Sequence, residues 1–297
     1  MSRTSAEVQS SRRKNCPKHF NITTMKSLSQ EITHTPFASL IIAVYKNIHF
    51  LELVLCSVNE QTYKDFEVIV AEDNDDEALK KFIEEARNKY GFPIQHVYQE
   101  DKGFRKNKIL NQAVIVSRGE YLHFIDGDSL LNKNYLLEFT RHAKQGYCLF
   151  GRRAYLDEMF TNRLLKEKKT ESLSFWNILL SKSEKKLHAL YMPFVLWFQK
   201  SKEGIWGCSM GLMKEDLMRI NGFDEDYVHI GVGEDHDIEW RLLKTGIKLK
   251  SMKYRALQYH LHHPRSGRES DLQINYNLME KKINEGIAYA INGLSKK

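Results

Sequence analysis

The chain has 297 residues, 42% hydrophobic and 11% aromatic, enough apolar surface for a substantial core, so disorder throughout is excluded. A formal net charge of +7 favours anionic partners, although charge does not choose among nucleotides, phosphorylated substrates, nucleic acid and acidic membrane faces. The four cysteines, Cys16, Cys56, Cys148 and Cys208, form no CxxC pair, which argues against zinc or thiol exchange and, with the lysine content, for a reducing, cytoplasmic setting.

Residues 1–35 are polar, basic and aperiodic, and are expected to be a disordered tail. The start, MSRTSAEVQSSRRKN, has charge without the apolar stretch of a signal peptide. SLIIAVY (39–45) reads as a strand, and apolar residues at 50, 51, 54, 55 and 58 predict a helix after it. FEVIVAED (66–73) is a second strand, EALKKFIEEARNKYG a helix closed by Gly91, IQHVYQE a third strand, KNKILNQAVIVSRG a helix and YLHFID a fourth strand. Such alternation implies an α/β fold with a mostly parallel central sheet flanked by helices, whose ligands bind at the carboxyl ends of the strands. Polar clusters fall at those ends: Tyr45 to Asn47, Glu72 to Asp75, and Asp126 to Asp128.

Residues 151–205 break the alternation and read as a helical insertion with basic stretches, LLKEKKTES and SKSEKK. They end in the apolar ALYMPFVLWF (189–198), a buried helix face or a surface in contact with membrane, but shorter than the roughly 20 residues of a spanning helix. A motif-rich half (206–297) follows, with a C-terminal helix expected from Ser270 to Asn292. The first ordered half is 36–150.

Four constellations carry chemistry. Asp126-Gly127-Asp128 is either a solvated turn or a pair of carboxylates offering hard oxygen ligands to Mg²⁺ or Mn²⁺, the glycine permitting close approach of a diphosphate. In GVGEDHDIEW (231–240), Glu234, Asp235 and Asp237 open a helix, where acids favour the helix dipole. Three acids in so short a stretch exceed what a cap requires, which points to a general base. In YHLHHP (259–264), His260 and His262 share a face if the strand continues, while His263 points away, and an imidazole there can complete a metal site begun by carboxylates. Arg105, Lys106 and Lys108 at a helix start suit an anion. There is no GxxxxGK[ST] phosphate loop.

In this order, SLIIAVYKN, FEVIVAEDND, GFRKNKILNQAV, HFIDGDSLL, WGCSMGLMKEDLMRINGFDEDY, GEDHDIEWRL and YHLHHP resemble family 2 glycosyltransferases of the A-type fold, in particular their galactosyltransferase-like branch, over residues 36–265. The resemblance implies an inverting transferase that moves a sugar from a UDP-sugar donor to a glycan or lipid-linked glycan acceptor, with Mn²⁺ or Mg²⁺. Asp126 and Asp128 resemble the family's DxD motif, with Asp128 the direct metal ligand and Asp126 nearer the ribose or metal. Tyr45 and Asp73 fall where such enzymes hold the base, with Val44 in the same donor set, and Arg105 and Lys108 where they meet uridine or diphosphate. By the same resemblance Asp235 is the catalytic base, Glu234 binds acceptor or donor sugar, His260 completes the metal site, and Trp206 and Gly207 precede the acceptor site. Ala43, Glu72 and Ser209 depart from the family pattern and bear on sugar specificity. A sugar-1-phosphate nucleotidyltransferase and a non-enzymatic module binding nucleic acid or membrane are the alternatives. Nucleic acid is not an expected partner, and peripheral membrane contact is.

Overall fold

The apolar run after Pro36 forms β1 (Ala38–Val44), an interior strand of the larger of two sheets in the computed structural model. The structure describes residues 34–194, 204–233, 235–264 and 269–296, so the expected tail up to residue 33 lies outside them, as do Glu234 and residues 195–198 of the apolar run. α1 (Ile48–Asn59), β2 (Phe66–Glu72), α2 (Glu77–Lys89), β3 (Ile94–Tyr98), α3 (Lys106–Val116) and β4 (Tyr121–Asp126) follow in the alternation that the periodicity predicts. Asn47 and Asp76 cap α1 and α2 by accepting hydrogen bonds from Phe50 and Ala78 backbone N–H groups. α2 stops at Lys89 with Tyr90 extended, so Gly91 is not the left-handed cap its position suggests.

Then come β5 (Ser129–Leu131), α4 (Tyr135–His142), β6 (Tyr147–Phe150), β7 (Arg152–Tyr155), α5 (Glu158–Glu167) and α6 (Phe175–Leu180). A 3-10 turn at Lys186–Ala189 precedes β8 (Ser209–Met213), α7 (Lys214–Met218), α8 (His236–Lys244), β9 (Lys248–Ser251), β10 (Leu257–His260) and α9 (Glu269–Asn284). The expected helical insertion therefore opens with a strand. The C-terminal helix ends earlier than expected because Gly286, at φ 69°, turns the chain and its N–H bonds back to Ile283.

The larger sheet has the order β3-β2-β1-β4-β8-β6-β9. Its first four strands are parallel, β8 is antiparallel to both neighbours, and β9 runs parallel to β6. Alternate residues of β1 feed two cores: Leu40 and Ile42 pack with the apolar faces of α1, α2 and α4, and Ile41 with those of α3 and α8. Each such Leu or Ile, fully buried, contributes about 1.5–3 kcal/mol. Register sets Val44 beside Glu72, and Ala43 beside both Ala71 and Asp126, so three strands end along one edge. There the second sheet begins, ordered β5-β10-β7, with His260 opposite both Ser129 and Tyr155.

Candidate active site

Asp126 ends β4 and Asp128 precedes β5, and the turn between them lies tight against β1. Gly127 N–H donates to Ala43 O at 2.7 Å, and a Cβ on Gly127 would stand 3.0 Å from Ala43 O and from Val44 Cγ2. That close approach gives the glycine a packing reason. The two carboxylates then face different partners. Asp126 lies between Lys106 Nζ at 2.8 Å and Arg153 Nη1 at 3.2 Å. Asp128 faces His260 Nε2 at 3.5 Å and His263 Nε2 at 3.1 Å, with Arg153 at 3.8 Å.

The donor set of Asp128, His260 and His263, whose ligand atoms all lie within 4.8 Å of one another, fits a divalent cation. Tautomers support the fit. His263 Nδ1 lies 2.9 Å from Pro264 O, a carbonyl that can only accept, so this nitrogen carries the proton and the neutral ring's lone pair sits on Nε2. Between Nε2 and the Asp128 oxygen lies either a proton, favoured because the hydrogen bond to Asp128 raises the imidazole above its usual range, or a cation in its place. Burial brings the His260 imidazole down to about 4, leaving it neutral and ligand-competent near pH 7. For Asp128, burial opposes ionisation, but the His263 hydrogen bond and the His260 and Arg153 charges outweigh it and bring the carboxyl down to about 2.

β10 ends at His260, so the face-sharing expected of His260 and His262 does not arise. The chain turns, His262 N–H donates to Thr161 Oγ1, and His263 comes round to Asp128. Asp126, expected among the metal ligands, is outside that donor set and is held by two cations instead.

A cavity of about 280 Å³ opens beside this edge, lined by Lys106, Asp126, Arg153, Tyr155, Trp206, Gly207 and Asp235, among others. Asp235 caps α8, its Oδ1 accepting from His236 N–H at 2.7 Å. Burial opposes its ionisation, but the hydrogen bonds and charge of His236, with the Lys106 charge, hold the carboxyl below the usual aspartate range. The result is an ionised carboxylate at the cavity wall, able to accept a proton. Asp237, two positions on, is fully buried and holds Arg241 Nε at 2.7 Å and Tyr227 OH at 2.9 Å. It belongs to the scaffold.

The expected donor residues are distributed along the strand ends. Val44 points into the core, and its carbonyl accepts from Asp73 N–H. Tyr45 is 57% exposed, and its hydroxyl donates to Asp101, which also pairs with Lys46 at 2.7 Å. Asp73 is buried, and its two oxygens accept from Gln99 Nε2 and Arg105 N–H, at 2.6 and 2.7 Å, which fixes the approach to α3. The Arg105 guanidinium donates to Glu100 O. Lys108 does not line the cavity, and helical geometry turns it about 200° from Lys106. Trp206 lies under Arg152 and Lys185, 4.6 and 4.5 Å from its ring centroid.

Arg153 has no role in the sequence reading, which leaves open which of His260, His262 and His263 binds metal and names Lys106 with Arg105 and Lys108 for an anion, but only the latter two for uridine or diphosphate. Pro264, which ends a strand, was the available signal for His263. Arg153 had none beyond the Gly-Arg-Arg after β6.

The sequence profile described as Glycosyl transferase family 2 matches residues 39–204. The chain belongs to this family. A second profile, described as the N-terminal domain of galactosyltransferase, matches residues 196–264 of this glycosyl transferase family 2 member. Chondroitin synthase of Escherichia coli is 24% identical to it over 275 residues, covering 84% of this chain and 38% of that protein. Hyaluronan synthase of Pasteurella multocida is 23% identical over 275 residues, covering 84% and 27%. The chain thus spans well under half the length of these relatives. Among solved structures, GalNAc-T7 with UDP, GalNAc and Mn²⁺ superposes with a TM-score of 0.59 at 14% identity, covering 84% of this chain and 48% of that one. Mannosyltransferase PcManGT of Pyrobaculum calidifontis, in complex with GDP-Man and Mn²⁺, gives 0.57 at 15% identity, covering 85% and 65%. These likenesses show the A-type glycosyltransferase fold expected from the sequence.

Proposed function

We propose that this family 2 member is an inverting glycosyltransferase that moves a hexose or N-acetylhexosamine from a UDP-sugar to a hydroxyl of a glycan acceptor. The acceptor belongs to surface polysaccharide, lipopolysaccharide or glycoprotein synthesis on the cytoplasmic side. The observation that carries the reading is the placing of an ionised Asp235 on the wall of the cavity that Lys106, Asp126 and Arg153 also line. Relatives named chondroitin and hyaluronan synthase, and a neighbour solved as S. aureus TarS with UDP-GlcNAc, support this choice of donor and acceptor class.

In this reading Lys106 and Arg153 face the diphosphate and offset the charge that develops as UDP departs. Asp235 takes the proton of the acceptor hydroxyl, whose oxygen attacks the anomeric carbon on the face opposite the breaking C–O bond to UDP. One displacement inverts configuration. Asp128, His260 and His263 would hold Mn²⁺ or Mg²⁺, which supplies further positive charge to the diphosphate when bound. The two imidazoles suit Mn²⁺ better than Mg²⁺. Trp206 and Gly207 border the acceptor, as does Glu234 by resemblance.

Product analysis tests the reading. The full chain, given UDP-sugars, Mn²⁺ and oligosaccharide acceptors, is expected to release UDP and extend the acceptor. Release of pyrophosphate from UTP and a sugar phosphate, without UDP formation, would establish a nucleotidyltransferase instead.

A further inference from the structure

We propose that α6 and the 3-10 turn after it form a docking surface for an anionic lipid membrane, beside the mouth of the cavity. α6 buries Ile178 and packs Phe175 against the core, which leaves Trp176, Leu179 and Leu180 on its outer side. Trp176 is 69% exposed, Leu180 86%, and Leu187 on the turn 60%. Single exposed apolar residues are ordinary, but these adjoin. Lys186 Nζ donates to Leu179 O at 3.0 Å and Ser181 O at 2.5 Å, which pins the turn carrying Leu187 to the end of α6 that carries Leu180.

Charge selects the occupant. Lys182 and Lys185 stand exposed between the apolar residues, against one acid of that loop, Glu184. A second copy docked about a two-fold axis would set these lysines against their own counterparts. An acidic lipid surface instead takes Leu180, Leu187 and the Trp176 indole at headgroup depth and pairs the ammonium groups with phosphates. The patch also continues into the site. Lys185 Nζ lies 5.0 Å from the Tyr155 ring centroid and 4.5 Å from that of Trp206, and both rings line the cavity. A membrane under α6 therefore lies at the cavity mouth, where a lipid-attached substrate would enter. The sequence expectation of a membrane contact at 189–198 falls next to this patch, and Phe194 within it is 94% exposed.

Vesicle co-sedimentation of the full chain tests the proposal. Binding to phosphatidylcholine vesicles is expected to rise about tenfold when roughly a third of the lipid is phosphatidylglycerol, and to fall again in high salt. Trp176→Ser combined with Leu180→Ser should reduce binding about tenfold with an unchanged melting temperature and unchanged UDP release. Lys182→Glu should weaken binding only to the anionic vesicles. A wild-type chain that stays in the supernatant with phosphatidylglycerol vesicles overturns the proposal, as does a double variant that binds them like wild type. A dimer by sedimentation equilibrium that the double variant dissociates, without vesicle binding, would assign the patch to a second copy.

Discussion

The two acidic clusters, one at the end of β4 and one at the start of α8, look alike in the sequence and are divided alike by the structure. At β4, Asp126 is taken up by Lys106 and Arg153, while Asp128 faces two imidazoles. At α8, Asp237 is taken up by Arg241 and Tyr227, while Asp235 faces the cavity. Among the described residues, each cluster holds one carboxylate tied to arginine or lysine and one whose charged neighbours are chiefly histidines, His260 and His263 for Asp128 and His236 for Asp235. An acidic cluster is thus not a functional unit, and the nearest cation decides what each acid does.

The largest expected effect separates the two acids at α8. Asp235→Asn should lower turnover about a thousandfold with the KM for donor little changed, because only proton acceptance is lost. Undiminished UDP release would remove Asp235 from the base role. Asp237→Ala should act on stability instead, costing about 3–5 kcal/mol in urea denaturation, because Arg241 is left buried without its counter-ion. A melt indistinguishable from wild type would break the comparison at its structural side.

The strand-end cluster gives smaller contrasts. His263→Ala should raise the Mn²⁺ concentration for half-maximal activity at least about tenfold, and His262→Ala should leave it unchanged. Equal effects would mean that the donor set is misassigned. Lys106→Met should raise the donor KM about tenfold through one lost charge-assisted contact, whereas Lys108→Met should change it less than about twofold. The reverse order would restore Lys108 to the diphosphate.

The parallel half of the fold was legible because local periodicity determines it: strand, helix and crossover were read correctly from Ala38 to Asp126. Asp126, Asp128 and Asp235 could be found because acids at strand and helix ends stand out from their surroundings. Arg153 was not legible, since it reaches Asp126 only through the pairing of β7 with β10, and no local pattern encodes that register. The choice among His260, His262 and His263 stayed open for a related reason: two-residue alternation sets His263 on the opposite face, and no local pattern encodes the turn after His260 that brings it to Asp128. Between Lys106 and Lys108 only the phase of α3 chooses, and composition is silent about phase.

β10 lies between β5 and β7, and its next residue, Leu261, hydrogen-bonds back to Asp128 O at 2.9 Å. Its contact pairs His263 with a residue 135 positions earlier. During synthesis the aspartate turn therefore leaves the ribosome long before either imidazole. Closure of that distant pairing is slow compared with the local strand–helix units that precede it. A nascent chain stopped before β10 has the parallel strands but neither His260 nor His263, so under the proposed metal site cation affinity would report the arrival of β10 rather than folding of the first half.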